Sequence, residues 1–231
     1  MSSPLFRVQL FPAEGSDKLA CVVAGYRGKI KGYRRVIETL NNYGYNVVAY
    51  EHSPAVLTSG DPHKLIDLVD GINNDFSERI ISYKTIICVG ASIGAGLCFA
   101  LQAQFPTITF GIYAAAGVSP PENVFEAPLF YFVRKKFAKA GIDPQKLKKL
   151  WQDVDIVPEK PLNLTNPFLM VLGKRDKIVN YQKALVTLHK WQAAGKPITI
   201  MTKDNVGHAG TTRWYKKHFE ELLVEAEKLP L

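Results

Sequence analysis

Short apolar, β-rich runs alternate along the chain with stretches whose apolar positions recur every three or four residues. The short β-rich apolar runs predict strands at Phe6–Leu10, Leu19–Ala24, Tyr45–Tyr50, Thr85–Val89, Ile108–Ala114, Phe168–Leu172 and Ile198–Thr202. The helical period predicts helices at Ile30–Tyr43, Pro62–Ile80, Ile93–Phe105, Tyr181–Ala194 and Thr212–Lys228. Local chemistry supports these boundaries. Asp61 reads as an N-cap with Pro62 at the first helical position, and Leu65, Val69, Ile72, Phe76 and Ile80 form one stripe. Gly195 and Pro197 end the penultimate helix.

Strand–helix alternation of this kind builds a mostly parallel sheet covered by helices on both faces, here of about seven strands. From Thr85 to Pro121 there is no Asp, Glu, Lys or Arg. Glycines at 90, 94 and 96 and Pro106 divide this stretch, so it reads as the doubly covered centre of the sheet and not as a membrane span. The alternation is interrupted once, between about 118 and 163. Leu129–Val133 precedes a basic run, and Asp143-Pro144 opens a helix with Leu147, Leu150, Trp151 and Val154 on one side. Two short helices there predict a small helical cap inserted into a single domain spanning 1–231.

The length, 231 residues with 47% hydrophobic and 22% charged, suits one globular α/β domain and excludes a disordered chain. Three widely spaced cysteines, Cys21, Cys88 and Cys98, each in an apolar run, form neither a disulfide framework nor a metal motif. With no signal-peptide pattern at the amino terminus, a reducing, cytoplasmic setting is expected. The net charge is +8 and is concentrated in two segments. Residues 27–35 carry a net +5 and residues 131–150 a net +6, so the rest of the chain is slightly acidic. These segments are either solvated faces or attractors of something anionic. No zinc spacing, Arg/Gly-rich segment or RNA-binding signature accompanies the charge, so a nucleic-acid partner is not expected.

Gly90-Ala91-Ser92-Ile93-Gly94 follows a buried strand and opens a helix. That setting gives G-x-S-x-G its meaning as a nucleophile elbow, although a serine in a glycine-rich turn also caps helices or borders phosphate loops. A serine hydroxyl needs a base, and the base needs an orienting acid. Of five histidines, His189 and His218 fall within helices, and His52 and His63 lie near an earlier strand end and helix start. His208 lies in a glycine-flanked loop after the last strand, at the carboxyl edge of the sheet with Ser92. Asp176, just past the strand ending at Leu172, is the favoured acid, ahead of Asp204, Asp153 and Asp155.

With Gly90–Gly94, Gly173-Lys174-Arg175-Asp176 and Gly207-His208, nearly the whole chain from Leu19 onward resembles the α/β-hydrolase superfamily. It is similar to small serine esterases and monoacylglycerol-lipase-like members, without the earliest strand of larger relatives. The resemblance implies Ser92, His208 and Asp176 as catalytic residues. It also implies an oxyanion hole from the backbone N–H groups of Ile93 and Tyr26, the latter in Ala24-Gly25-Tyr26-Arg27-Gly28, where many members carry His-Gly.

The expected activity is hydrolysis of a carboxylic ester through an acyl-enzyme on Ser92, with thioesters or lipid monoesters handled by the same groups and no cofactor or metal required. The partner is a small-molecule ester, acyl or anionic. Phe130, Tyr131, Phe132 and Phe137 are expected either to line an acyl pocket or to form the core of the cap, with the neighbouring lysines either meeting an anionic membrane surface as a weaker partner or forming a solvated face. A hydrolase-fold protein that binds or scaffolds without catalysis is the alternative.

Overall fold

The computed structural model describes residues 4–117, 119–152 and 166–229. Seven strands form one sheet: β1 (Phe6–Phe11), β2 (Lys18–Val23), β3 (Tyr45–His52), β4 (Thr85–Ala91), β5 (Phe110–Ala114), β6 (Phe168–Gly173) and β7 (Ile198–Lys203). Their order is β1-β3-β2-β4-β5-β6-β7. All neighbours are parallel except β1, which runs antiparallel to β3 at the edge. The predicted α/β class and strand count agree with this sheet.

The helices are α1 (Arg34–Asn42), α2 (Ala55–Thr58), α3 (His63–Arg79), α4 (Ile93–Gln104), α5 (Pro120–Glu126), α6 (Tyr131–Lys139), α7 (Pro144–Leu150), α8 (Tyr181–Ala193), α9 (His208–Lys217) and α10 (Phe219–Ala226). Alternate residues of the central strands feed two cores. Leu19, Cys21 and Val23 of β2 face the layer containing α3, α4 and α8. Ala20, Val22 and Ala24 face α1, α9 and α10. Burial on both sides is why these strands read as continuous apolar runs.

Several boundaries differ from the sequence reading. The helix expected at 30–43 starts as a 3-10 turn, Ile30–Tyr33, before α1. Pro62, not Asp61, is the N-cap of α3, and the Asp61 carboxylate accepts the His63 N–H at 3.0 Å. The final helix begins four residues early, at His208, and breaks at His218 into α9 and α10. Three helices, not two, occupy the described part of the segment between β5 and β6. Val154, expected on the last of them, lies outside the described residues. Trp151 is fully buried and its indole N–H donates to the Pro62 carbonyl at 2.7 Å, tying this segment to the start of α3.

The turn from β4 into α4 is the tightest point of the fold. Ser92 has φ 58° and ψ −131°, a region essentially reserved for glycine. Its amide donates to Ala114 of β5 at 2.8 Å, and its carbonyl accepts from Ala95 at 3.0 Å. A Cβ on Gly90 would lie 2.6 Å from the Gly94 carbonyl oxygen, and one on Gly94 would lie 2.2 Å from that of Val23. Only bare glycine lets the helix start against the end of β2.

Two stability outcomes follow from this turn. Gly94→Ala should destabilise the protein by about 3 kcal/mol, because backbone must move to admit the methyl group; urea denaturation checks it. Ser92→Gly should instead stabilise by about 1 kcal/mol, since the backbone strain is relieved while only a side-chain contact is lost. Equal melting temperatures for Ser92→Gly and the parent would contradict the strain assignment.

Candidate active site

The parallel sheet turns its carboxyl ends to one rim, and the chain reverses direction of travel across the sheet between β2 and β4. The loops after these strands therefore diverge, and the crevice between them is where open α/β sheets hold ligands. Ser92 stands there. Its Oγ lies 2.8 Å from Nε2 of His208, and Nδ1 of His208 lies 2.8 Å from Oδ2 of Asp176. The three groups, 84 and 32 residues apart along the chain, meet at one edge as the sequence predicts.

The Asp176 side chain is 3% exposed. Its other oxygen, Oδ1, accepts the N–H groups of Ile178 and Val179, both at 2.9 Å. Backbone donors thus offset the lost hydration of a buried carboxylate and fix its orientation. Because the carboxylate only accepts, the network assigns the Nδ1 proton to His208 and leaves Nε2 as acceptor for the Ser92 hydroxyl.

Loop-to-loop bonds hold the acid and the base together. Lys174 N–H donates to Lys203 O and Arg175 N–H to Val206 O, both at 3.0 Å, while Asp176 N–H closes a turn onto Gly173 O at 3.1 Å. A Cβ at Gly173 would sit 2.1 Å from the Thr211 hydroxyl oxygen, so glycine is needed for β6 to pass α9. His208 is the first residue of α9, not part of a loop as expected, and helical geometry fixes its backbone. Asp204, the nearest rival acid, points away to Lys174 at 2.7 Å and is exposed. Asp153 and Asp155 lie outside the described residues. His52 is buried beside β2, His189 pairs with Gln192 and His218 with Glu221; none of these reaches Ser92.

Two amides flank the serine. Gly25–Gly28 forms a turn closed by Gly28 N–H to Gly25 O at 2.8 Å, with Arg27 at φ 58°. A Cβ on Gly25 would lie 2.9 Å from Ala91 O, so this turn abuts the Ser92 elbow. The Gly25 N–H is taken by the Tyr33 hydroxyl oxygen at 3.1 Å. Burial pushes that phenol up to about 12, so it stays protonated. Among the described residues, the amides of Tyr26 and Ile93 donate to no protein group.

Two depressions meet at Ser92. One runs under the inserted helices and is apolar; Leu57, Leu65, Val69, Leu97, Val124 and Trp151 line it. The other carries Arg27, Arg213, Lys216 and His208 on its walls beside apolar groups such as Leu129 and Phe130. Tyr26, Phe130 and Ile178 border both. Of the aromatics expected in an acyl pocket only Phe130 takes part. Phe137 is core, packed edge-on against Trp151 at 5.9 Å, and Tyr131 and Phe132 face outward. The helical period on α6 carries two apolar sides, and sequence alone does not say which one faces in. The contributions of α3, α9 and Gly96 were not foreseen, because they depend on how distant helices close over the rim.

Among the described residues, no three His, Cys, Asp or Glu side chains gather as a metal site. The three cysteines are free and buried, and burial pushes the Cys21 and Cys98 thiols well above their ordinary range.

The fold has close counterparts. An esterase of Pyrococcus furiosus superposes with a TM-score of 0.61 at 19% identity, covering 96% of this chain and 91% of the esterase. Est1E of Butyrivibrio proteoclasticus gives 0.63 at 16% identity, covering 95% and 93%. The acylaminoacyl peptidase of Pyrococcus horikoshii gives 0.70 at 16% identity, covering 96% of this chain but 39% of the peptidase. A search of curated protein sequences finds no match. The model of the prolyl oligopeptidase family matches residues 61–225, which take in the elbow, the acid and the histidine. The chain belongs to the prolyl oligopeptidase family of the α/β-hydrolase superfamily and is a serine hydrolase.

Proposed function

We propose that the chain is a carboxylic ester hydrolase working through an acyl-enzyme on Ser92. The observation that carries this is the pair of 2.8 Å contacts linking Ser92 Oγ, His208 and the buried Asp176. As Oγ attacks the carbonyl carbon, its proton passes to Nε2 of His208, and Asp176 stabilises the imidazolium that forms. The unengaged amides of Ile93 and Tyr26 receive the oxyanion; losing one such donor costs about 100- to 1,000-fold in rate. His208 then protonates the departing oxygen or sulfur. Water, deprotonated by the same nitrogen, attacks the acyl carbon and frees Ser92.

The apolar depression supports an acyl chain on one side of the scissile bond, under a cap formed by α5–α7. Family membership favours an amide-cleaving reading, but this chain covers 39% of the peptidase it superposes on, against 91% and 93% of the two esterases. Three unpaired buried thiols support work in a reducing, cytoplasmic compartment. Among the described residues, no helix is long and apolar enough to cross a membrane.

Ser92→Ala should abolish hydrolysis of p-nitrophenyl butanoate and labelling by a fluorophosphonate, with folding retained. Asp176→Asn should lower kcat by about four orders of magnitude, whereas Asp204→Asn should keep it within about twofold. Full activity of Asp176→Asn would remove the acid from its role. Gly96 lines the apolar depression and a Cβ there meets nothing within 4 Å. Gly96→Leu should therefore fold well and cut kcat/KM for a dodecanoyl ester about tenfold relative to the butanoyl ester. An unchanged chain-length preference would place the acyl group elsewhere.

A further inference from the structure

The depression on the far side of Ser92 has a charge that ester chemistry by itself does not require. Arg27, Arg213 and Lys216 line it and no carboxylate does. Among the described residues, none of the three forms an ion pair, while Lys29, Lys174 and Lys183 all do. Arg27 and Arg213 are exposed and Lys216 is half-buried, and three like charges on one depression without a counter-ion repel one another.

We infer that this depression is a phosphate site, and that the substrate is a fatty acyl ester or thioester whose leaving group carries a phosphate. The inference rests on the ester-hydrolase reading and assigns the second half of its substrate. Arg213 and Lys216 sit one turn apart on α9, whose first residue is His208, so their heads stand over the side from which the leaving group departs. Lys216 is half-buried, its Nζ 3.8 Å above the Tyr33 ring, and burial holds its ammonium below the usual lysine range. An anion there restores the stabilisation that lost water removed.

Arg27 adds an independent sign. It occupies a left-handed position, φ 58°, in the turn beside Ser92 where glycine would be unstrained. Its guanidinium lies 5.3 Å from the centroid of the Tyr26 ring on the same wall. Strain of this kind persists where a side chain has work at that place. Two planar guanidinium forks and an ammonium suit a group with about two negative charges and three equivalent oxygens better than a single carboxylate. In the reaction the acyl C–O or C–S bond breaks, His208 supplies the proton to the departing atom, water supplies the hydroxyl of the acid, and the phosphate stays intact on the leaving group.

Two matched pairs test this and separate the sources of phosphate. One is 1-oleoylglycerol 3-phosphate against 1-oleoylglycerol; the other is oleoyl-coenzyme A against oleoyl-N-acetylcysteamine. The phosphate-bearing member of one pair should show kcat/KM at least about tenfold higher at low salt, and the Arg27→Gln/Arg213→Gln double variant should cut that ratio about tenfold. The pair that responds names the leaving group as glycerophosphate or nucleotide. Ratios near one in both pairs, or a ratio indifferent to the double variant, overturn the inference. If no ester is cleaved and a fluorophosphonate fails to label Ser92, the hydrolase reading fails by itself. Calorimetry with glycerol 3-phosphate and coenzyme A on Ser92→Ala then decides the site: saturable binding weakened by Arg213→Gln sustains it, and no binding to either compound removes it.

Discussion

The contact between the first turn of α4 and the end of β2 governs the reactive rim. Gly94 lies so close to the Val23 carbonyl that a single methyl group would overlap it. That closeness forces the chain to leave β4 through a sharp turn. The sharpness puts Ser92 into a left-handed conformation and raises its hydroxyl above the sheet edge. The same closeness brings Gly25 against Ala91, so the turn carrying the Tyr26 amide arrives beside the serine. Ser92 and the turn that carries the Tyr26 amide are therefore positioned by backbone packing, with side-chain choice secondary.

Asp176 and His208 are held differently. They come from the far half of the sheet, where β6 and β7 end next to one another. There the fixing agents are hydrogen bonds between loops and two amides buried on the Asp176 carboxylate. Such a carboxylate is costly to bury and more costly to leave without donors, which makes its orientation strongly determined. A rigid acid gives a rigid imidazole, and the 2.8 Å approach of Nε2 to the serine follows.

Much of this was legible in the residues, and the reason differs by element. The central strands could be read because burial on both faces writes a continuous apolar run, and the elbow because its glycines answer a local steric demand. Ser92, Asp176 and His208 could be placed on one rim because parallel topology fixes where loops after strands go. The inserted helices were harder. Phe132 and Phe137 are chemically alike, yet one is 75% exposed and the other fully buried, a difference set by packing against Trp151. Nothing in the sequence singles out Arg213 and Lys216; only the placement of α9, which begins at His208, brings them to the depression at Ser92.

The helices α5–α7 beside the apolar depression enter the chain at one place, between β5 and β6, whereas Tyr26, Ser92, Asp176 and His208 follow β2, β4, β6 and β7. That one stretch can thus be lengthened, shortened or replaced while Ser92, Asp176 and His208 keep their places. In this architecture, repertoire is modular and reactivity is inherited.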